Sequence, residues 1–208
     1  MPNALINLHY LPSLEYFCAL YPSKKIILEK QEHFVKQSFR NRCYINTSQG
    51  RQMLIVPVTE KHGKVSVQEI KIDHQQKWQN NHWRAIESAY RKAPFFEFYL
   101  DELKDIIYKG HVHLFDLNRD LLSFCLRCLG MQTELSETVA FEKEVSATII
   151  DLRSQITPKT SFVDRTFYRS VPYQQVFGNA FVSNLSFIDL LFCEGPNSIK
   201  IIKTSRSD

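Results

Sequence analysis

Glycine is scarce in this chain: six residues in 208. That leaves little material for a phosphate-cradling loop. No G-x-G-x-x-G, no G-x-x-x-x-G-K-[ST] and no G-x-S-x-G occurs, which argues against dinucleotide-binding, P-loop and nucleophile-elbow chemistries. The glycine-free alternative is the helix start at Pro12-Ser13, which follows the first strand, where an open α/β sheet tends to bind ligands and free N–H groups favour anions. Long apolar runs are missing too. None approaches the roughly 18 residues that span a bilayer, so no transmembrane segment is expected. The opening Met1-Pro2-Asn3-Ala4-Leu5-Ile6-Asn7 lacks a charged n-region and a long apolar core, so no secretory signal is read. Cysteine is sparse and odd in number, five in all. Scattered thiols of this kind fit a reducing cytoplasm better than a disulfide framework. Charge of one sign is not concentrated. The formal net charge is +4, and Lys24-Lys25, Lys61, Lys64, Lys71 and Lys77 are interspersed with acids. A nucleic-acid partner is therefore not expected.

What the chain does have is aromatic bulk: 15 Phe, 9 Tyr and 2 Trp. With 44% hydrophobic and 23% charged residues, it reads as one globular domain over residues 1–208 that can build a core without staples.

The pattern of elements is α/β. Ala4 to Leu8 reads as a buried strand. Pro12 sits near the first turn of a short helix carrying Leu14, Phe17, Cys18 and Tyr21, which Pro22-Ser23 stops. Lys25 to Glu29 reads as a second strand, parallel to the first by default. A β-rich middle follows, with Arg42–Asn46 and Gln52–Val58 flanking the turn Thr47-Ser48-Gln49-Gly50. A third strand is expected over Val65–Asp73, after a turn at His62-Gly63. Trp78, His82, Ala85, Ile86, Ala89, Tyr90 and Ala93 make one continuous helical face, broken by Pro94. Phe96 to Ile107 gives a second helix. A third is expected to start at an Asn118 N-cap and stop at Gly130. Short strands are expected around Val139–Phe141 and Ala147–Ile150, then a loop over Pro158–Arg169. Ser186 and Asp189 read as a capping box with a Leu185–Leu190 staple, and Gly195-Pro196 as the helix end. The expected architecture is thus a β-α-β opening, a β-rich middle and a helical second half packed on a mixed sheet.

Candidate chemistry begins at Gln37-Ser38-Phe39-Arg40-Asn41-Arg42. Arg40 and Arg42 share a parity, so on an extended strand both would face one side and could grip a carboxylate or phosphate. A solvated strand end with surface ion pairs explains the same residues. His82, between Trp78 and Ile86, is either a general base or a satisfied histidine at the core edge. His111-Val112-His113 lacks a third ligand at a recognised spacing, so no metal is expected. Cys125-Leu126-Arg127-Cys128 is a lone C-x-x-C inside an amphipathic helix and reads as core. No cofactor is indicated. Tyr173-Gln174-Gln175 either lines a pocket or bridges loops.

These segments, taken in order, resemble the WbqC-like family of bacterial proteins. The resemblance rests on Tyr10-Leu11-Pro12 with Tyr16-Phe17, Arg40-Asn41-Arg42 before a strand, and Val56-Pro57-Val58. It continues through Trp78, Tyr90 with Lys92-Ala93-Pro94-Phe95-Phe96, and Tyr173-Gln174. It ends with Asn184-Leu185-Ser186-Phe187-Ile188-Asp189-Leu190-Leu191-Phe192 and Gly195-Pro196. The opening departs from the family, with Leu8-His9 in place of Gln-Pro, and Ser13 and Glu15 in place of Trp and Gly. The resemblance implies a cytoplasmic protein of bacterial surface-polysaccharide (O-antigen) synthesis, with glycine or aminoacyl transfer to an amino sugar as the suggested activity. On that reading the ligand is a nucleotide-sugar or an amino-acid-type molecule. His82 would be the base. Tyr10, Gln37, Arg40, Asn41, Arg42, Trp78, Tyr173 and Gln174 would bind and orient the ligands. The alternative is a non-catalytic binding or scaffold protein of the same process.

Overall fold

A computed structural model describes residues 2–21, 23–59, 64–178 and 180–207. The expected stop at Pro22 and turn at His62-Gly63 lie outside these residues. Strand β1 (Asn3–Ile6) leads into helix α1 (Leu14–Leu20) and strand β2 (Lys25–Leu28). β1 and β2 pair in parallel, from Asn3 against Lys25 to Ile6 against Leu28. The apolar runs of both strands suit a sheet covered on its faces. Every residue of α1 is buried. Pro12 falls just before the Ser13 N-cap rather than inside the first turn, and Leu11 takes a left-handed φ of 41° to make the approach.

The middle of the chain forms a separate ribbon. β3 (Arg42–Thr47) and β4 (Gly50–Ile55) are antiparallel, with Arg42 opposite Ile55 and Thr47 opposite Gly50. Gly50, at φ 90°, supplies the turn conformation that other residues resist. β4 begins two residues earlier than its hydrophobic run suggests. Val65–Asp73 does not form a strand. It holds a 3₁₀ turn at Val67–Glu69 and touches its neighbours through single bridges, Ser66 to His33, Lys71 to His113 and Ile72 to Val58. Buried Val67 and Ile70 are three residues apart, the repeat of a tight turn rather than of a pleat.

Helices α2 (Trp78–Tyr90), α3 (Phe96–Tyr108) and α4 (Leu114–Cys128) follow. The face predicted for α2 is the buried one, with Trp78, His82, Ile86, Ala89 and Tyr90 inside. α4 starts at Leu114 behind an His113 N-cap, four residues before the expected Asn118. Asn118 is instead a buried helical residue that donates from Nδ2 to the Arg40 carbonyl at 2.7 Å. Gly130, at φ 66°, closes this helix as expected.

The chain then returns to the first sheet. β5 (Glu134–Glu137) pairs with β2 and β6 (Ile149–Asp151) with β1, both parallel, giving the order β5-β2-β1-β6. β6 overlaps the strand expected over Ala147–Ile150, shifted toward Asp151, whereas no strand forms at Val139–Phe141. Val139 is 95% exposed, in the loop between β5 and β6. The architecture is α/β, with parallel and antiparallel pairings divided between two sheets.

Helix α5 (Phe187–Glu194) passes through Gly195–Asn197 into α6 (Ser198–Thr204). The predicted capping box does not form. Ser186 occupies the N-cap, but its side chain makes no capping bond, and the Asp189 carboxylate is bound elsewhere. The starts of α5 and α1 instead cap each other. Leu14 N–H donates to the Leu185 carbonyl and Phe187 N–H to the Pro12 carbonyl, at 3.1 and 2.8 Å. Ser13 and Ser186 form an antiparallel bridge between them. Donors that a helix start leaves free are thereby satisfied by backbone from the far end of the chain.

Candidate functional site

At the entrance to β3 the chain turns before it extends. Gln37 adopts φ 54°, and the strand begins only at Arg42, so Arg40 and Arg42 do not share a face. Arg40 points inward and is 3% exposed. Its Nε and Nη2 donate to Glu32 Oε1 and Oε2 at 2.7 and 2.5 Å. This two-pronged pair occupies the fork that was expected to hold a ligand. Arg42 differs. It is half-buried, its Nε has no partner, and its Nη1 lies 3.8 Å from Met53 Sδ. No carboxylate neutralises it among the described residues.

Arg42 lines a groove of about 320 Å³ together with Lys36, Gln37, Asn41 and the apolar walls Phe34 and Val58. Asn41 is fixed by donating from Nδ2 to the Val56 carbonyl at 2.9 Å, and its Oδ1 is unpartnered. Two cations, amide side chains and an apolar wall make a surface suited to an anion with an uncharged body. Gln37, Asn41 and Arg42 are the predicted residues brought together here.

His82, Tyr10 and Trp78 form a second group. His82 Nε2 donates to the Ile55 carbonyl at 3.1 Å, so neutral Nδ1 accepts from the Tyr10 hydroxyl at 2.9 Å. The Trp78 ring meets it edge-on, centroids 5.3 Å apart. Burial pulls the imidazole down to about 4, against a smaller opposing effect of the Ile55 bond. The ring is therefore neutral at pH 7, with both nitrogens engaged. Ile55 is the residue paired with Arg42 in the ribbon, so His82 braces that strand end and is not among the groove's lining residues.

Tyr173 belongs to a third group, around Asp189. The fully buried Asp189 carboxylate accepts from Tyr90 Oη at 2.8 Å, Tyr173 Oη at 2.5 Å and Gln175 Nε2 at 2.9 Å. Tyr90 Oη also accepts from Asn46 N–H at 3.1 Å. Burial holds the Asp189 carboxyl above its usual range, although all three donors pull it down. Gln174 is exposed and donates to the Gln175 carbonyl at 3.3 Å; the inward residue is Gln175. Sequence reasoning assigned Asp189 to a cap. The available signal was its setting, since Phe187, Ile188, Leu190, Leu191 and Phe192 leave α5 no polar face to carry a solvated acid.

A fourth group lies at the carboxyl ends of the parallel strands. Glu29, just past β2, accepts from Thr138 Oγ1 at 2.7 Å and from Arg153 Nη1 at 2.9 Å. Arg153 Nη2 donates to Asp151 Oδ2 at 2.7 Å. Asn7, just past β1, accepts from Ser154 N–H at 2.6 Å, and Ser154 holds a left-handed φ of 57°. Asp151, Arg153 and Ser154 border a cavity of about 500 Å³ with Glu32, His33 and Phe141. Ligands favour this edge of open parallel sheets. Residues 31–42 run between this cavity and the Arg42 groove, stapled by the Glu32–Arg40 pair.

His111 Nε2 bonds Asp120 Oδ2 at 2.9 Å, and no metal-holding group of His, Cys, Asp and Glu occurs among the described residues. All five cysteines are free, and burial pushes the Cys128 thiol up to about 12. No helix among the described residues is long and apolar enough to cross a membrane.

A parallel four-stranded sheet, a detached antiparallel ribbon and interlocked helix starts define an α/β protein. The chain belongs to the WbqC-like protein family, whose model matches residues 8–164 and 159–201. It is 29% identical, over 98% of each chain, to a protein described as uncharacterized protein Rv1507c from Mycobacterium tuberculosis. No solved structure matches it. The matched span includes Glu15, which is completely buried. Arg165 Nε and Nη2 donate to its carboxylate at 2.5 and 2.7 Å, and Asn184 Nδ2 donates at 3.1 Å. The buried Glu15 carboxylate thus has charged and amide partners from the far half of the chain.

Proposed function

We propose that this WbqC-like protein holds an anionic small molecule of the nucleotide-sugar or amino-acid type in the Arg42 groove. The bound molecule serves acyl or aminoacyl (glycine) transfer to an amino sugar in bacterial surface-polysaccharide synthesis in the cytoplasm. The observation carrying the binding half is Arg42, a half-buried guanidinium with no carboxylate partner among the described residues, in a groove with an apolar wall. The transfer half rests on the family resemblance. In this reading Arg42 anchors the carboxylate or phosphate, Asn41 and Gln37 orient the neighbouring polar atoms, and Phe34 and Val58 cover the uncharged body. Arg40, His82, Tyr10 and Trp78 hold the groove's frame, and Tyr173 holds the loop before α5.

Calorimetric titration with nucleotide sugars and with free amino acids tests it. Saturable binding weakened about tenfold or more by Arg42→Ala is the expected result, the size of one lost charge-assisted hydrogen bond. Equal affinity of the variant and the parent removes the role of Arg42. A second reading, binding without turnover, is favoured by the groove's lining, which has no imidazole, carboxyl or thiol among the described residues. Mass-spectrometric detection of glycine transferred to an amino sugar supports the first reading. Saturable binding with no product supports the second.

A further inference from the structure

We propose that the cleft between the tip of the β3–β4 ribbon and helix α2 is a second ligand site, for a small organic phosphate. The cleft encloses about 660 Å³. Arg51 comes from the ribbon and Arg84 from α2, with Gln52 and Ser88 beside them and Ala89 and Phe177 forming an apolar floor. No acidic residue among the described residues lines it. Neither arginine has a carboxylate partner among the described residues.

Arg51 is the better prepared of the two. Its guanidinium carbon lies 3.7 Å from the Tyr44 ring centroid. Stacking uses the flat face of the group and leaves the N–H donors at its edge free to form paired hydrogen bonds in plane. Desolvation by the surrounding chain pulls Arg51 below its ordinary value, opposed by Tyr44, while the residue as a whole stays exposed and open to a ligand. Arg84 and Ser88 are one helical turn apart and project to the same side. The cleft therefore offers two guanidinium groups, a hydroxyl and an amide around a phosphoryl group, with an apolar surface for the remainder of the ligand. The site is distinct from the Arg42 groove, which shares no lining residue with it among the described residues, and the inference does not depend on the transfer reading.

Titration of the full chain with inorganic pyrophosphate at low ionic strength tests the assignment. The expected result is saturable binding, weakened about tenfold by Arg51→Gln and by Arg84→Gln. Half-buried Ala85 also lines the cleft, so Ala85→Glu, which puts a carboxylate there, should abolish this binding. Arg42→Ala should retain it, and rising salt should weaken it in the parent protein. If Arg51→Gln impairs folding, Arg84→Gln and Ala85→Glu carry the test. Absence of saturable binding in the parent overturns the proposal. So does unchanged affinity in folded Arg84→Gln and Ala85→Glu variants, or a loss that follows Arg42→Ala and spares these two.

Discussion

His82 and Asp189 are buried titratable groups that act on stability in opposite directions. The folded His82 value of about 4 lies below the ordinary 6.5. Between those pH values the unfolded chain binds the proton and the folded chain does not, so stability falls as pH drops from 6.5 toward 4. The shift corresponds to at most roughly 3 kcal/mol. Urea unfolding at about pH 7 and about pH 4.5 should show this loss, and His82→Gln should reduce it. His9, lowered first by burial and then by Arg40 and Arg165, keeps part of the slope. Asp189, raised by burial, has the opposite sign. Its contribution is complete below 3.8 and fades as pH rises through the folded value. Its hydrogen bonds give a second prediction. Tyr173→Phe removes one donor from a buried carboxylate and should cost about 1–3 kcal/mol. Tyr90→Phe strips a donor from Asp189 and an acceptor from Asn46 N–H, so its unfolding midpoint should fall further than that of Tyr173→Phe.

Helix α5 ends at Gly195, whose φ is 51°. A Cβ there would overlap the Phe95 ring. Gly195→Ala should therefore cost more than the roughly 1–3 kcal/mol of holding a side-chain residue in so sparsely populated a backbone region. Adding Phe95→Ala should relieve the overlap and leave the backbone cost, a difference visible in a double-mutant cycle of thermal melts. Elements with strong local signals were legible in the sequence: the β-α-β opening, the buried face of α2, the glycine stops of α4 and α5. Elements set by distant partners were not. β5 is Glu-Leu-Ser-Glu and becomes a strand because β2 offers it an edge. Asn118 reads as a cap, yet it sits mid-helix to hold the Arg40 carbonyl. The candidate site was half legible for the same reason. Counting residues found the cations at the β3 entrance, but parity could not reveal a turn at Gln37 or the carboxylate of Glu32 waiting for Arg40. Asp189 was hidden by a motif that fits a cap equally well.

At the scale of the whole molecule, long-range polar pairs tie the ends of the chain together. Glu15 in α1 is completely enclosed and depends on Arg165, whose side chain is 11% exposed. Arg165→Met strands a buried carboxylate and should cost about 3–5 kcal/mol. Glu15→Leu combined with Arg165→Met should recover much of that loss in chemical denaturation, because neither charge then remains unpaired. The sheet has the same long reach, since β1 at the start of the chain is flanked by β6, and the first turn of α1 is closed by the Leu185 carbonyl. Translation delivers these mates last. The segments of β1 and α1 are synthesised well before β6 and Leu185, so these hydrogen bonds form only once the later segments have emerged.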